Sequence, residues 1–260
     1  IDLGSLDLRN ANLDGVRSKR TTGKPYLPSG WKLDGGYLLG PTADLSDRYL
    51  KGVDLSNVHL EDAILDYSEG YELKGSPESL PGGWGVVNGT LLGPKARVYN
   101  QSLINADLTG IDLSGADIDN LFTQSVTEPA KLPNRWNFYS DESGSNGVLI
   151  GPGAHLKDIT LSGNLRNYNF RNVRSSNITP GRGLFLPNRG GAYGIRNGHI
   201  VGLQSDLTEA NLSGVDFFPD IDDISQANLS KVRSGGITTD PLDIVLPNDW
   251  NLIHGYLVGP

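Results

Sequence analysis

The residues best suited to acid–base or metal chemistry are four histidines, His59, His155, His199 and His254, and they are scattered along the chain. Zinc enzymes need paired ligands, such as the HExxH spacing that sets two imidazoles on one helix face. No such pair occurs. His59 and His155 also stand just before a recurring leucine, where solvent-facing side chains belong. The serines are numerous, but none lies in a G-x-S-x-G elbow, and no phosphate-cradling GxxxxGK[ST] or GxGxxG after a strand is present. The absence of cysteine excludes disulfides and thiolate metal sites. Asp220, Asp222 and Asp223, in PDIDDIS, form the densest acidic cluster. Calcium needs about six to eight oxygens, and the spacing of an EF-hand is missing, so a solvated bulge is expected there. Arg17, Lys19 and Arg20 read as a solvated loop. The N-x-[ST] matches at Asn88, Asn100, Asn177, Asn211 and Asn228 follow from the repeat composition described below. No catalytic residue, cofactor or metal is expected.

Aromatic side chains offer a different chemistry. Trp31, Trp84, Trp136 and Trp250 recur at equivalent places, with Tyr37 and Tyr256 shortly after two of them. Exposed aromatics at regular intervals could bind a neighbouring chain or a glycan. The alternative, preferred on sequence grounds, is that each Trp lids the local core beside its own Leu-Pro. A fifth copy of the surrounding sequence has Gly190 or Gly191 near the Trp place.

Two nested periods must position these residues. From Ala43 to Tyr67 the sequence reads ADLSD, RYLKG, VDLSN, VHLED, AILDY, with leucine at 45, 50, 55, 60 and 65. That period is neither the 3.6 of a helix nor the 2 of a strand, so the backbone must turn after each short extended piece. Similar fives surround Leu3, Leu8 and Leu13, then Leu103, Leu108, Leu113 and Ile118, then Leu156, Leu161, Leu165 and Phe170, and finally Leu207, Leu212, Phe217 and Leu229. Between these blocks stands a second signature, LPSGWKLDGGYLLGP at 27–41, with counterparts at 80–94, 132–152, 186–202 and 246–260. The Leu-Pro markers fall at 27, 80, 132, 186 and 246, in steps of 53, 52, 54 and 60. This super-repeat is the strongest signal in the sequence. The blocks leave by similar exits, VRSKR at Val16, VRSSNIT at Val173 and VRSGGIT at Val232.

The A(D/N)LxG pattern resembles the pentapeptide-repeat family. The resemblance covers about half the chain and implies a right-handed quadrilateral β-helix, one pentapeptide per face and four per coil. The central Leu or Phe and the small residue two before it, such as Ala43, Ala106, Ala116, Ala210 and Ala227, would then point inward. The LP-GW-GP signature departs from the family's plain pattern, and two readings of it stay open. It forms a β-hairpin turned at Gly35–Gly36, Asn-Gly or His-Gly; or, since Leu33 and Leu38, Val86 and Leu91, and Leu252 and Leu257 are five apart, it supplies two further coil faces. A mixture is favoured, coil faces inside with an outward loop carrying Pro and Trp. Because 53 is not a multiple of 20, some residues must leave the regular path.

The 34 glycines, 15 prolines and abundant Asn, Asp and Ser fit an all-β, turn-rich architecture. A net charge of -8 argues against general affinity for nucleic acid, and no apolar run approaches the roughly 20 residues of a membrane span. A first residue that falls inside a running pentapeptide suggests a fragment of a longer repeat protein, here taken as one solenoid over 1–260. The expected function is a non-enzymatic structural or assembly module: a rigid acidic stalk, fibre or lattice-forming segment of an extracellular, cell-surface or virion-associated protein. Its expected partners are copies of itself or other neighbouring proteins. The alternative is a DNA-mimicking regulatory binder of a type II topoisomerase, a role some proteins of the resembled family play. Leucine rather than phenylalanine centres and the frequent interruptions count against it, and no regular threonine array suggests ice or glycan binding on a flat face.

Overall fold

The computed structural model describes residues 1–141, 144, 146–188 and 192–260; Gly190 and Gly191 lie outside them. Among these residues the protein is all-β, without a helix, so none is long and apolar enough to cross a membrane. Contacts group the chain into two compact units. One comprises Ile1–Gln101, Ala106–Ile118 and Thr127–Asn134; the other comprises Ser102–Asn105, Asp119–Val126 and Arg135–Pro260.

The five-residue period has a local cause. After each central leucine the chain turns, and the next repeat's first N–H donates back to the leucine carbonyl: Arg48 to Leu45, Val53 to Leu50 and Val58 to Leu55, each at 3.2 Å. The third residue of these turns is left-handed, with Asp47, Gly52 and Asn57 at φ of 55°, 70° and 60°. Gly, Asn and Asp tolerate that region best, which accounts for the last letter of the repeat. The second letter caps the turn. Asp44 accepts the Ser46 N–H at 3.0 Å, Asp54 that of Ser56 at 2.9 Å, and Asp206 that of Thr208 at 3.1 Å. Asp and Asn accept such bonds two residues on more readily than any other side chain.

The remaining letters face the core. Leu45, Leu50, Leu55, Leu60 and Leu65 are all buried, as are Ala43, Val53, Val58 and Ala63 between them. Burying each leucine is worth roughly 2 kcal/mol. Ala106, Ala116, Ala210 and Ala227 are buried in the same way. Parallel bridges pair Asp44 with Ile64, Tyr49 with Glu69, Asp54 with Lys74 and His59 with Ser79. Each partner lies 20 residues further along the chain.

All five LP-GW-GP signatures are antiparallel hairpins. They pair Lys32–Asp34 with Tyr37–Leu39, Gly85–Val87 with Thr90–Leu92, Asn137–Tyr139 with Val148–Ile150, Tyr193–Arg196 with His199–Gly202, and Asn251–Ile253 with Tyr256–Val258. Four turn through two left-handed residues, Gly35–Gly36, Asn88–Gly89, Asn197–Gly198 and His254–Gly255, the geometry that matches strand twist. This corrects the favoured mixture with coil faces. Leu33 and Leu38, Val86 and Leu91, and Leu252 and Leu257 are five apart because they face each other across a ladder.

The hairpins also explain why the super-repeat is no multiple of 20. In the unit containing Arg135–Pro260, Ser102 pairs in parallel with Phe122, a step of 20, and His155 with Arg174, a step of 19. Phe122 reaches His155 only by a step of 33, and Arg174 reaches Asp206 by one of 32. Those longer steps enclose the third and fourth hairpins.

Each hairpin docks on the exit segment of the block before it through the same two bonds. Its turn glycine accepts an N–H from the exit: Thr21 to Gly36, Leu73 to Gly89, Val126 to Gly147, Ile178 to Gly198 and Ile237 to Gly255. Three residues earlier a hydroxyl accepts the N–H of the hairpin's second strand. Ser18 receives it from Leu38 at 2.7 Å, Thr123 from Leu149 at 2.8 Å, Ser175 from Ile200 at 2.7 Å and Ser234 from Leu257 at 3.0 Å. The second repeat has Gly70 there, and its backbone carbonyl accepts from Leu91 instead. The recurring VRS exit is thus an acceptor for the next hairpin. Ser175 is buried, so Ser175→Ala would leave the Ile200 N–H without a partner and cost about 1–3 kcal/mol. Urea denaturation of the variant beside Ser176→Ala, expected within about 0.5 kcal/mol of the parent, measures it.

Candidate interaction surface

The signature tryptophans are half-buried, and their placement follows from the turn before them. Trp31, Trp84 and Trp250 donate their backbone N–H to the carbonyl of Pro28, Pro81 and Pro247 at 3.1–3.2 Å, with a left-handed residue just before the Trp in each case: Gly30, Gly83 and Asp249. That turn lays the indole back over its own hairpin. A β-carbon on Gly40, Gly93, Gly151 or Gly259 would lie well inside 3.0 Å of the ring of Trp31, Trp84, Trp136 or Trp250. The glycine of the closing Gly-Pro is therefore the floor on which the ring rests. In the fourth hairpin Tyr193 takes that position over Gly202. On the other side each indole packs against the core, Trp31 and Trp84 against the leucine cluster of the first unit, Trp136 and Trp250 against two clusters of the second.

Tyr37 and Tyr256 occupy the same hairpin position with opposite outcomes. Tyr37 is only 7% exposed and donates its hydroxyl to the Tyr49 carbonyl at 3.1 Å, so it belongs to the core. Tyr256 is 55% exposed, its ring edge against Gly235.

A second aromatic patch was not singled out by the sequence. Tyr49, Ile64 and Tyr67 stand at outward positions of the repeat and are about half exposed. Tyr49 meets Tyr71 edge to face, with ring centroids 5.7 Å apart and the two hydroxyls hydrogen-bonded, while Lys51 lies over the Tyr71 ring at 5.1 Å. Tyr67 carries Lys95 and Arg97 over its face at 5.9 and 5.6 Å. The legible signal was an aromatic in a slot that elsewhere holds Asp, Asn or Ser. The hydrogen bond with Tyr71, with a smaller contribution from desolvation, pushes the Tyr49 phenol up to about 12. Tyr71→Phe should return its titration toward the usual value near 10, so that the Tyr49 phenolate forms at lower pH; the phenolate absorbance or the ring carbon shift reports it.

The histidines and the acidic cluster singled out by the sequence are distributed rather than convergent. His59 lies 3.8 Å from Glu61. His155 packs against Phe122, and burial holds its pKa below the usual value. His199 places Nδ1 2.6 Å from the Ser175 carbonyl oxygen, within the hairpin docking site. Asp220 pairs with Arg196 at 3.6 Å, Asp223 caps Ser225, and the Asp222 carbonyl accepts from Val245, so the three aspartates have separate tasks. Among the described residues no three His, Asp or Glu side chains gather as a metal site. Arg17 reaches Asp44 and Asp47 at 3.8 and 3.6 Å. No protein-family model matches the chain, and no curated protein or solved structure matches it.

Proposed function

We propose that this protein is a non-enzymatic structural module of the pentapeptide-repeat kind, built on right-handed quadrilateral coils, which assembles with copies of itself or neighbouring proteins in an extracellular, cell-surface or virion setting. The observation that carries the reading is the recurrence of one hairpin per super-repeat, each docked by the same glycine carbonyl and, in four of five, by a hydroxyl. A chain that repeats one presentation device along a stacked backbone multiplies lateral surface rather than shaping a single cleft. The parallel register of four pentapeptides and the buried five-spaced leucines support the coil geometry.

Sedimentation velocity across a hundredfold range of concentration tests the assembly. Self-association that rises with concentration is expected, weakened by Tyr256→Ser and by Tyr49→Ser/Tyr67→Ser. A monomer at every concentration that also captures no neighbouring repeat protein would remove the reading.

A further inference from the structure

Between Ile159 and Ser205 the sequence holds six arginines and no aspartate, glutamate or lysine, which leaves 16 bases against all 30 acids in the rest of the chain. The charge inverts at two adjacent pentapeptides, GNLRN and YNFRN. Both keep the turn cap, Asn164 accepting the Arg166 N–H at 3.2 Å and Asn169 that of Arg171 at 3.0 Å. Where other blocks carry aspartate and a hydroxyl, however, these carry an amide and a guanidinium.

Folding brings these arginines together with a third. A hollow of about 380 Å³ is lined by Arg166 and Arg171, by Arg135 from the turn before Trp136, and by Asn167, Tyr193 and Gln204. A second hollow of about 440 Å³ shares Arg135 and Arg171 and adds Arg174, but it is also lined by the carboxylates of Asp119 and Asp206, so the first is the better anion site. Arg174 is paired with Glu209 at 3.2 Å, and Arg166 lies over the Phe185 ring at 4.7 Å. Among the described residues no ion pair engages the guanidinium of Arg135, Arg166 or Arg171. Three unpaired forks around one hollow repel one another, and an oxyanion would relieve that repulsion. Guanidinium in place of ammonium favours acceptors that present two oxygens to one fork, as carboxylate, sulfate and phosphate do. The Asn167 amide, the side-chain oxygen of Gln204, whose nitrogen donates to Gln226, and the tyrosine ring supply neutral hydrogen bonds and a flat apolar edge, the complement of a hydroxylated ring.

We propose that this hollow binds an acidic oligosaccharide, with Arg135, Arg166 and Arg171 holding its carboxylate or sulfate groups and Asn167 and Gln204 its hydroxyls. Its size falls in the roughly 300–1,000 Å³ range of small-ligand sites. A nucleic acid fits less well. Tyr168 and Tyr193 are half-buried, not the open stacking platforms that bases require.

Titration calorimetry of the full chain at low salt tests the site with three probes, tetragalacturonate, a heparin tetrasaccharide and an oligothymidylate of matched charge. At least one oligosaccharide should bind more tightly than the oligothymidylate, and the one that does identifies carboxylate or sulfate as the anion. Arg166→Gln/Arg171→Gln should weaken that binding at least tenfold without shifting Tm. Arg135→Gln alone should weaken it severalfold, and Arg182→Gln, outside both hollows, should leave it unchanged. Binding of neither oligosaccharide, equal binding of all three probes, or an affinity indifferent to Arg135, Arg166 and Arg171 would overturn the proposal.

Discussion

Gly93→Ala should destabilise the protein by about 2–3 kcal/mol, a large loss for one methyl group. The added carbon would enter the Trp84 ring, and neither partner has room to retreat. Gly93 is buried, and Trp84 is held by the Pro81 turn behind it and by the leucine cluster beneath it. Trp84→Ala should cost about 3 kcal/mol, the lower end for removing a large aromatic because the ring is half-buried. The double variant should cost clearly less than the sum, since the three atoms nearest the new methyl all belong to the indole. Urea denaturation of the four proteins reads the coupling. Additive losses would mean that Trp84 does not rest on Gly93, and the explanation of the Gly-Pro ending would fall with them.

Leu55→Ala should cost about 3–5 kcal/mol. Leu55 is the central residue of VDLSN, 1% exposed, with Leu50 and Leu60 buried in the repeats to either side. Its neighbours are held in place by ladder pairing at Asp54–Lys74 and His59–Ser79, so the cavity cannot collapse easily. Lys51→Ala, in the preceding repeat on the outward side, should change stability by no more than about 0.5 kcal/mol, because its ion pair with Glu72 at 3.3 Å is exposed and such pairs contribute little. Equal losses at the two positions would show that the five-residue period does not separate inside from outside.

The inward set was legible because backbone chemistry within each repeat enforces it. The left-handed Asp47, Gly52 and Asn57 and the capping Asp44 and Asp54 are local choices, written in the letters themselves. The hairpins were only half legible. A spacing of five between Leu33 and Leu38 fits a cross-strand pair around a two-residue turn as well as it fits successive coil faces, and only the ladder distinguishes them. Tertiary facts were out of reach. Tyr37 and Tyr256 have equivalent sequence contexts, yet Tyr37 is covered because the chain at Tyr49 returns to accept its hydroxyl. The arginines at 135, 166 and 171 are not evenly spaced, and they line one hollow because the fold sets the turn before Trp136 beside the pentapeptides at 163–172. For the tryptophans, the Gly-Pro that closes every Trp-bearing signature was the available clue, since a recurring glycine near an aromatic points to a ring lying on backbone.

Parallel pairing at a step of 20 residues is the premise of the coil geometry and of the function proposed for this chain, and a chain without cysteine allows a direct test. Tyr49 and Glu69 are parallel bridge partners, whereas Lys74 is partnered by Asp54. Disulfides close only when α-carbons are within about 7 Å. In the variant Tyr49→Cys/Glu69→Cys a disulfide should form essentially completely under mild oxidation, and in Tyr49→Cys/Lys74→Cys the thiols should stay reduced. Closure of the 49–74 pair, or an open 49–69 pair in folded protein, would contradict the stacking on which the account rests.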